Sequence, residues 1–218
     1  MATKTEKTTL GDGLKWEEDR DFSRKKITVA SGNSVSCLEV VGKVLTSVPT
    51  DGTADAGNTG NGTLGSVVGG LQTKIGTYSI VCIAAAANGG SFAVVDPDGN
   101  ALADAEVGVA YAGEQLSFAL ADGATDFAVG DTFTVAVTAG SGKVVPLDLT
   151  ATDGSNKAAG FMIADVDATL ADVLGVIIAG PALAVMDNLG WPDGITADQK
   201  TAAIAQLETV GIKAVGQA

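Results

Sequence analysis

The sequence predicts a mostly β protein that consists of a small β-rich domain with one C-terminal helix, an inserted small β-sandwich domain and an extended N-terminal arm. Three observations support this prediction. Glycine is abundant, at 29 of 218 residues, while aromatic residues make up only 5%, a mixture typical of proteins with many tight turns and aliphatic cores. Hydrophobic residues reach 46%, which is enough for a packed core. Short runs that alternate apolar and polar residues recur along the chain.

The N-terminal residues 1–26 are predicted to form the arm, because they are polar and charged with only isolated apolar anchors. The anchors Leu14, Trp16 and Phe22 lie in the run LKWEEDRDF. Bulky apolar groups in a solvated tail indicate a surface to which the tail binds. The alternative is that these anchors fold back onto their own domain, since single exposed apolar residues are common.

The β-rich domain is predicted to comprise residues 27–48 and 141–218, and residues 49–140 to form a linker and the inserted module. Residues 27–48 are predicted to form two or three short strands, from the apolar positions at Ile27–Val29, Val35–Cys37 and Val40–Leu45. Residues 49–70 are rich in Gly, Thr, Asp and Asn, a composition typical of a flexible linker.

The inserted module, residues 71–139, shows strand patterns at turn-like spacing. They lie at Thr77–Cys82, Phe92–Val95, Ala105–Val109, Leu116–Leu120 and Thr132–Val137. The run Asp96–Asn100, DPDGN, is typical of a β-turn. Strands of this length and spacing favour a small β-sandwich or barrel.

The C-terminal part combines strands with a helix. The predicted strands are Lys143–Leu147, Gly160–Ile163 and Gly175–Ile178. Thr196 followed by Gln199 is a capping-box pattern, which predicts a helix that continues to about Val210. Gly211 stands where a helix commonly ends with a glycine, and Ile212–Val215 is predicted to be a final strand.

Composition argues against several classes of function. The net charge is −13, of which −9 falls in residues 50–140, so direct nucleic-acid binding is not expected. The chain contains no histidine, which excludes serine–histidine and cysteine–histidine catalysis and histidine zinc sites. Cys37 and Cys82 cannot form a four-cysteine zinc site. We therefore expect no enzyme activity, no cofactor and no bound metal.

The sequence also indicates a protein without membrane segments. It opens without an apolar signal region, and the apolar stretch from Val173 to Val185 is interrupted by Gly175 and by Gly180-Pro181. Such a stretch is too short to span a bilayer. Synthesis in a reducing host cytoplasm, with both cysteines as free thiols, is the corresponding expectation.

The sequence outside the inserted module resembles a known family. The matching stretches, in order, are DGLKWEEDRDFSRKKITVASG, KVVPLDLTATDGSNKAAGFMIADVDAT, GPA and LGWPDGITADQKTAAIAQLETVGIKAV. Together they resemble the lambda-type phage head decoration proteins over residues 10–48 and 141–218. Residues 50–140 have no counterpart in the smallest members and are similar to the immunoglobulin-like β modules of phage structural proteins.

The resemblance implies a virion structural protein on the capsid exterior. Members of the family form homotrimers over the three-fold and quasi-three-fold sites of the expanded capsid, where they bind the major capsid protein and stabilise the shell against packaged DNA. The arm is then the capsid-binding segment, with Leu14, Lys15, Trp16, Phe22 and Arg24 as its contact residues.

Trp191 and Pro192 are two further candidates, because they precede the predicted helix. They would face either the trimer or the capsid. The alternative is that Trp191 anchors the core while Pro192 ends the preceding segment.

A second class of function also fits the inserted module. An acidic β module that resembles immunoglobulin-like surface domains is compatible with an adhesin-like or carbohydrate-binding role.

Overall fold

The chain leaves one folded unit at Val44, forms a second unit, and re-enters the first at Gly142. The computed structural model describes residues 7–215. Residues up to Val44 and from Gly142 onward form the first unit, here called the core unit. Leu45–Ser141 form the second, here called the inserted unit.

The core unit begins with two single-turn helices and four strands. They are α1 (Leu10–Gly13), β1 (Leu14–Glu17), α2 (Arg20–Ser23), β2 (Arg24–Val29), β3 (Asn33–Val35) and β4 (Val40–Lys43). The sequence predicts an extended arm up to residue 26, whereas the structure gives residues 10–26 a folded position on the core unit. The reason is that the backbone from Gly13 to Glu18 hydrogen-bonds to a later strand of the same unit.

The inserted unit contains the next eight strands. They are β5 (Thr53–Ala54), β6 (Thr63–Gly69), β7 (Gly76–Ala86), β8 (Gly89–Val95), β9 (Ala105–Glu106), β10 (Ala110–Ala112), β11 (Leu116–Ala121) and β12 (Thr132–Val137). They form a three-stranded sheet in the order β10-β11-β6 and a five-stranded sheet in the order β5-β12-β7-β8-β9.

The core unit is completed by six strands and two helices. They are β13 (Val144–Pro146), β14 (Ala158–Met162), β15 (Val166–Ala168), β16 (Val173–Ile178), β17 (Ala182–Ala184), a 3₁₀ helix (Met186–Asn188), α3 (Ala197–Thr209) and β18 (Ile212–Ala214). The structure thus confirms a mostly β fold, in which α3 is the one described helix longer than a single turn.

A closed barrel forms the centre of the core unit. Its strands follow the order β13-β2-β16-β14-β4, and β4 pairs with β13 to close it. Successive residues of these strands point to opposite faces, so they contribute to two different hydrophobic clusters. Met162 and Ile177 belong to one cluster, while Phe161 and Ile178 belong to the other. The second cluster also receives Leu207 of α3, so the helix packs against the barrel.

The local signals around α3 explain its bounds. The side chains and backbones of Thr196 and Gln199 form the reciprocal capping box that the sequence predicts. At the other end, Gly211 adopts a φ of 93°, and its amide donates to the Glu208 carbonyl at 3.0 Å. The helix therefore ends at a glycine that tolerates the left-handed conformation.

In the inserted unit, the two sheets share one hydrophobic core, which is the arrangement of a β-sandwich. The core draws residues from both sheets, among them Leu64, Tyr78, Phe92, Phe118 and Phe133. The predicted likeness to immunoglobulin domains is not tested by this arrangement and stays a prediction.

Part of the segment predicted as a linker is a strand. Residues 63–69 form β6, which pairs with β11 and buries Leu64 and Val67 in the sandwich core. The register shifts along this pair, and Ser66 has a φ of 55°. This irregularity breaks the simple alternation of apolar residues, so the pattern is hidden in a glycine-rich sequence.

Candidate functional site

The register of one three-stranded sheet brings Trp16 next to residues from far along the chain. β1 pairs antiparallel with β17, with Trp16 opposite Leu183, and β17 pairs parallel with β18, with Leu183 opposite Lys213. A bulge lies between Leu14 and Trp16. Leu14 packs against the core cluster, whereas Trp16, two residues later, is 50% exposed. In a regular strand, residues two apart face the same side. The bulge interrupts this alternation, which agrees with the different burial of Leu14 and Trp16.

Trp16 lines a surface cleft of about 410 Å³, here called the Trp16 cleft. Its other lining residues are Pro181, Ala182, Leu183, Gly211 and Lys213. The lining is thus mainly apolar, and Lys213 adds one positive charge. A volume of this size falls within the roughly 300–1,000 Å³ of ordinary ligand pockets.

Phe22 lies in α2 and is 71% exposed. Its carbonyl oxygen packs so closely on Gly180 that a Cβ at position 180 would collide with it. The hydroxyl of Ser23 donates to the carbonyl of Pro181 at 2.6 Å, and the amide of Ala179 donates to the Ser23 carbonyl at 2.9 Å. These contacts fix the segment that carries Phe22 beside Pro181.

Arg24 and Lys15, two of the predicted contact residues, have partners within the core unit. The Arg24 guanidinium donates twice to the Glu17 carboxylate, from Nε at 2.8 Å and from Nη2 at 2.6 Å. These hydrogen bonds lower the pKa of the Glu17 carboxyl and raise the pKa of Arg24. The pair ties β1 to the start of β2. Lys15 donates through Nζ to the Gly11 carbonyl at 2.8 Å.

Trp191 and Pro192 are not among the residues that line the Trp16 cleft. Trp191 is partly buried against the core cluster and donates through Nε1 to the Met186 carbonyl at 2.8 Å. Lys200 places its ammonium 5.6 Å from the centroid of the Trp191 ring. These contacts suit a core anchor. Pro192 lines a depression of about 260 Å³ together with Gln199, and a role for either residue at a trimer or capsid interface stays a prediction.

Several surface residues were not indicated by the sequence. Pro181, Leu183 and Lys213 reach the Trp16 cleft through long-range strand pairing, for which no local signal exists. Leu170 and Leu174, around the start of β16, are 98% and 79% exposed. The sequence predicts this strand only from Gly175, and the pairing of β16 with β2 extends it to include Leu174.

The described residues present an apolar cleft beside the exposed ring of Trp16. No group of three or more metal-binding side chains comes together among residues 7–215. Within the same range, no helix is long and apolar enough to cross a membrane. An exposed aromatic ring beside an apolar cleft is the kind of surface that proteins use to bind other macromolecules.

Comparison with known proteins identifies the family. The profile of the family described as bacteriophage lambda head decoration protein D matches residues 3–212. The chain belongs to this family and is a phage head decoration protein. Membership implies binding to the capsid and a place on the exterior of the virion. A search of curated protein sequences finds no significant match.

Among solved structures, the chain is similar to two crystal structures of Xanthomonas campestris FlgL, each 18% identical with a TM-score of 0.31. The first match covers 59% of this chain and 34% of that chain, and the second covers 87% and 44%. The chain therefore spans less than half the length of those proteins. A likeness this weak carries no argument about fold or function.

Proposed function

We propose that this chain is a homotrimeric cement protein, which binds the major capsid protein at the three-fold and quasi-three-fold sites of the expanded capsid. It then stabilises the shell against the pressure of packaged DNA. The family match over residues 3–212 carries this proposal. The exposed aromatic side chains of Trp16 and Phe22 support it, because aromatic side chains are prominent among the residues that dominate the energetics of protein interfaces.

The five predicted contact residues divide between two roles in this proposal. Trp16 and Phe22 contact the capsid protein directly, since the side chains of both are at least half exposed on the core unit. Lys15 is exposed beside them. Leu14 and Arg24 have an indirect role, which is to hold β1 in place. Leu14 packs against the core, and Arg24 hydrogen-bonds to Glu17 of β1. The surface is thus presented on a folded scaffold, which reduces the entropy lost on binding.

Trimerisation increases the affinity that a binding surface of modest size can reach. Three copies of the Trp16 and Phe22 surface engage the capsid together, so each contact remains weak while the assembly binds tightly. Leu170, just before β16, and Leu174, within β16, are exposed and are candidates for contacts between the three copies.

The test is cosedimentation of the purified chain with expanded and unexpanded heads that lack their decoration protein, together with its mass in solution. We expect a trimer and saturable binding to expanded heads only. The double substitution Trp16→Ala, Phe22→Ala should weaken binding by at least about tenfold, or 1.4 kcal/mol. Val129→Ala removes another exposed apolar side chain, in the inserted unit, and should bind normally. Equal binding to both kinds of head would contradict the proposal.

A second function, an adhesin-like or carbohydrate-binding role, concerns the inserted unit. One observation favours it: a groove of about 260 Å³ is lined by Tyr111, Gln72, Glu114 and Gln115, an aromatic ring with amide and carboxylate groups. Deletion of residues 46–140 tests this role. We propose that the shortened chain still trimerises and binds heads, while any binding to immobilised glycans is lost.

A further inference from the structure

The Trp16 cleft combines an apolar lining with a lysine at its edge. The parallel pairing of β17 with β18 places Lys213 directly beside Leu183. The Lys213 side chain is exposed and makes no ion pair with any residue between 7 and 215. In contrast, Lys143 and Lys200 of the same unit both pair with aspartates. The charge at the cleft is therefore available to a partner.

The geometry also restricts what fits the cleft. Trp16, Pro181, Ala182 and Leu183 provide apolar walls, and the volume of about 410 Å³ leaves room for an apolar side chain of a partner. The aliphatic stem of a lysine can line such a wall while its ammonium stays at the rim. A partner that covers the cleft removes water from this ammonium. Removal of water is unfavourable unless an opposite charge replaces it.

We propose that the Trp16 cleft receives a segment of the major capsid protein in which an apolar side chain lies next to a carboxylate. The apolar side chain fills the space between Trp16 and Leu183, and the carboxylate pairs with Lys213. This inference rests on the proposed function, because it specifies the chemistry of the capsid partner. It gives Lys213, which sequence reasoning did not select, a part in choosing that partner.

The experiment measures the binding of full-length variants to expanded heads over a range of salt concentrations. Lys213→Met retains an apolar stem without the charge, and Lys213→Glu reverses the charge. Lys157→Glu is the matched control, because Lys157 is also an exposed lysine of the core unit without an ion pair among the described residues. Circular dichroism and tryptophan emission verify that each variant is folded.

We expect Lys213→Glu to weaken binding about tenfold and Lys213→Met to weaken it less, with Lys157→Glu close to the wild type. The wild type should lose affinity more steeply with added salt than Lys213→Met, because screening acts on the pair that the variant lacks. Unchanged or tighter binding by Lys213→Met would overturn the inference. So would equal losses in Lys213→Glu and Lys157→Glu, which would indicate a response to net charge alone.

These outcomes separate the inference from the function on which it rests. If the wild type fails to bind expanded heads, the proposed function is wrong and the inference falls with it. If the wild type binds and all three lysine variants bind equally well, the proposed function stands and only the chemistry assigned to the cleft is wrong.

Discussion

Lys74 places its ammonium nitrogen 2.6 Å from Oδ2 of Asp96, a carboxylate buried in the inserted unit. The same carboxylate accepts hydrogen bonds from the backbone amides of Asp98 and Asn100, at 3.0 and 2.9 Å. These partners hold the pKa of Asp96 well below its usual range, with the hydrogen bond from Lys74 as the largest cause. The pKa of Lys74 is raised in turn. Hydrogen bonds within Asp96–Asn100 close the DPDGN turn that the sequence predicts, and Lys74 joins that turn from outside it.

Replacement of Lys74 by Met should destabilise the inserted unit selectively. It leaves the buried Asp96 carboxylate without its cationic partner, which is unfavourable for a group removed from water. Both tyrosines, Tyr78 and Tyr111, lie in the inserted unit, and both tryptophans lie in the core unit. We expect the unfolding transition that the tyrosine near-ultraviolet signal reports to move to a clearly lower temperature. The transition that the tryptophan signal reports should keep its wild-type midpoint. Lys157→Met, in the core unit, should leave the tyrosine transition unchanged.

The lowered pKa of Asp96 also predicts how stability depends on pH. A carboxyl whose pKa is lower in the folded state stabilises the fold above its unfolded pKa of about 3.9. That contribution is lost as the pH falls from there toward the folded pKa. Asp96→Asn should therefore destabilise the inserted unit at neutral pH, and its difference from the wild type should shrink below about pH 4. Urea unfolding followed by tyrosine signals measures this; a difference that is constant with pH would argue against the charged pair.

Gly160 should not tolerate a side chain. It lies in β14 with a φ of 150°, and a Cβ there would collide with the carbonyl oxygen of Ile178 on the neighbouring strand. Gly160→Ala is expected to reduce the free energy of unfolding of the core unit by about 1–3 kcal/mol. Tryptophan fluorescence in denaturant measures the loss. Gly11→Ala provides the control, because nothing lies within 4 Å of a Cβ at that position. The free energy of unfolding of this variant should hardly differ from that of the wild type.

The capping box of α3 predicts a smaller effect. Thr196→Ala removes the hydroxyl that accepts from the Gln199 amide at 3.3 Å, and such substitutions cost about 1 kcal/mol. Within the same helix, the Thr201 hydroxyl bonds only back to the Ala197 carbonyl, so Thr201→Ala should be neutral or slightly stabilising. If both variants lose the same stability in thermal unfolding, the cap contributes nothing specific.

The elements that the sequence predicts well are those with strong local signals. The cap, the apolar face and the terminal glycine of α3 all lie within a short stretch, and the strands around Phe92, Phe118 and Phe133 show clear alternation. β6 was missed because a bulge and several glycines obscure its pattern. Residues 10–26 read as an arm because the partner strand of β1 lies far along the chain.

The same distinction applies to the candidate site. Trp16 and Phe22 are conspicuous because large apolar residues are unusual in a charged segment. Their surroundings are not visible in the sequence, since Leu183 and Lys213 join Trp16 only through the pairing of three strands. The local sequence indicates single candidate residues for binding. Which other residues lie beside them depends on the register of strand pairs between distant parts of the chain.

The core unit holds together the two chain positions between which the inserted unit is placed. Val44 donates its amide to the Lys143 carbonyl and accepts from the Gly142 amide, both at 2.9 Å. Whatever lies between these ends has only to begin and finish one strand spacing apart, about 4.8 Å. A tight turn and a whole domain both meet that condition, and the entropy of closing the loop rises only slowly with its length. An insert of different size can therefore replace the inserted unit on this hairpin, while β4 and β13 keep their register in the barrel.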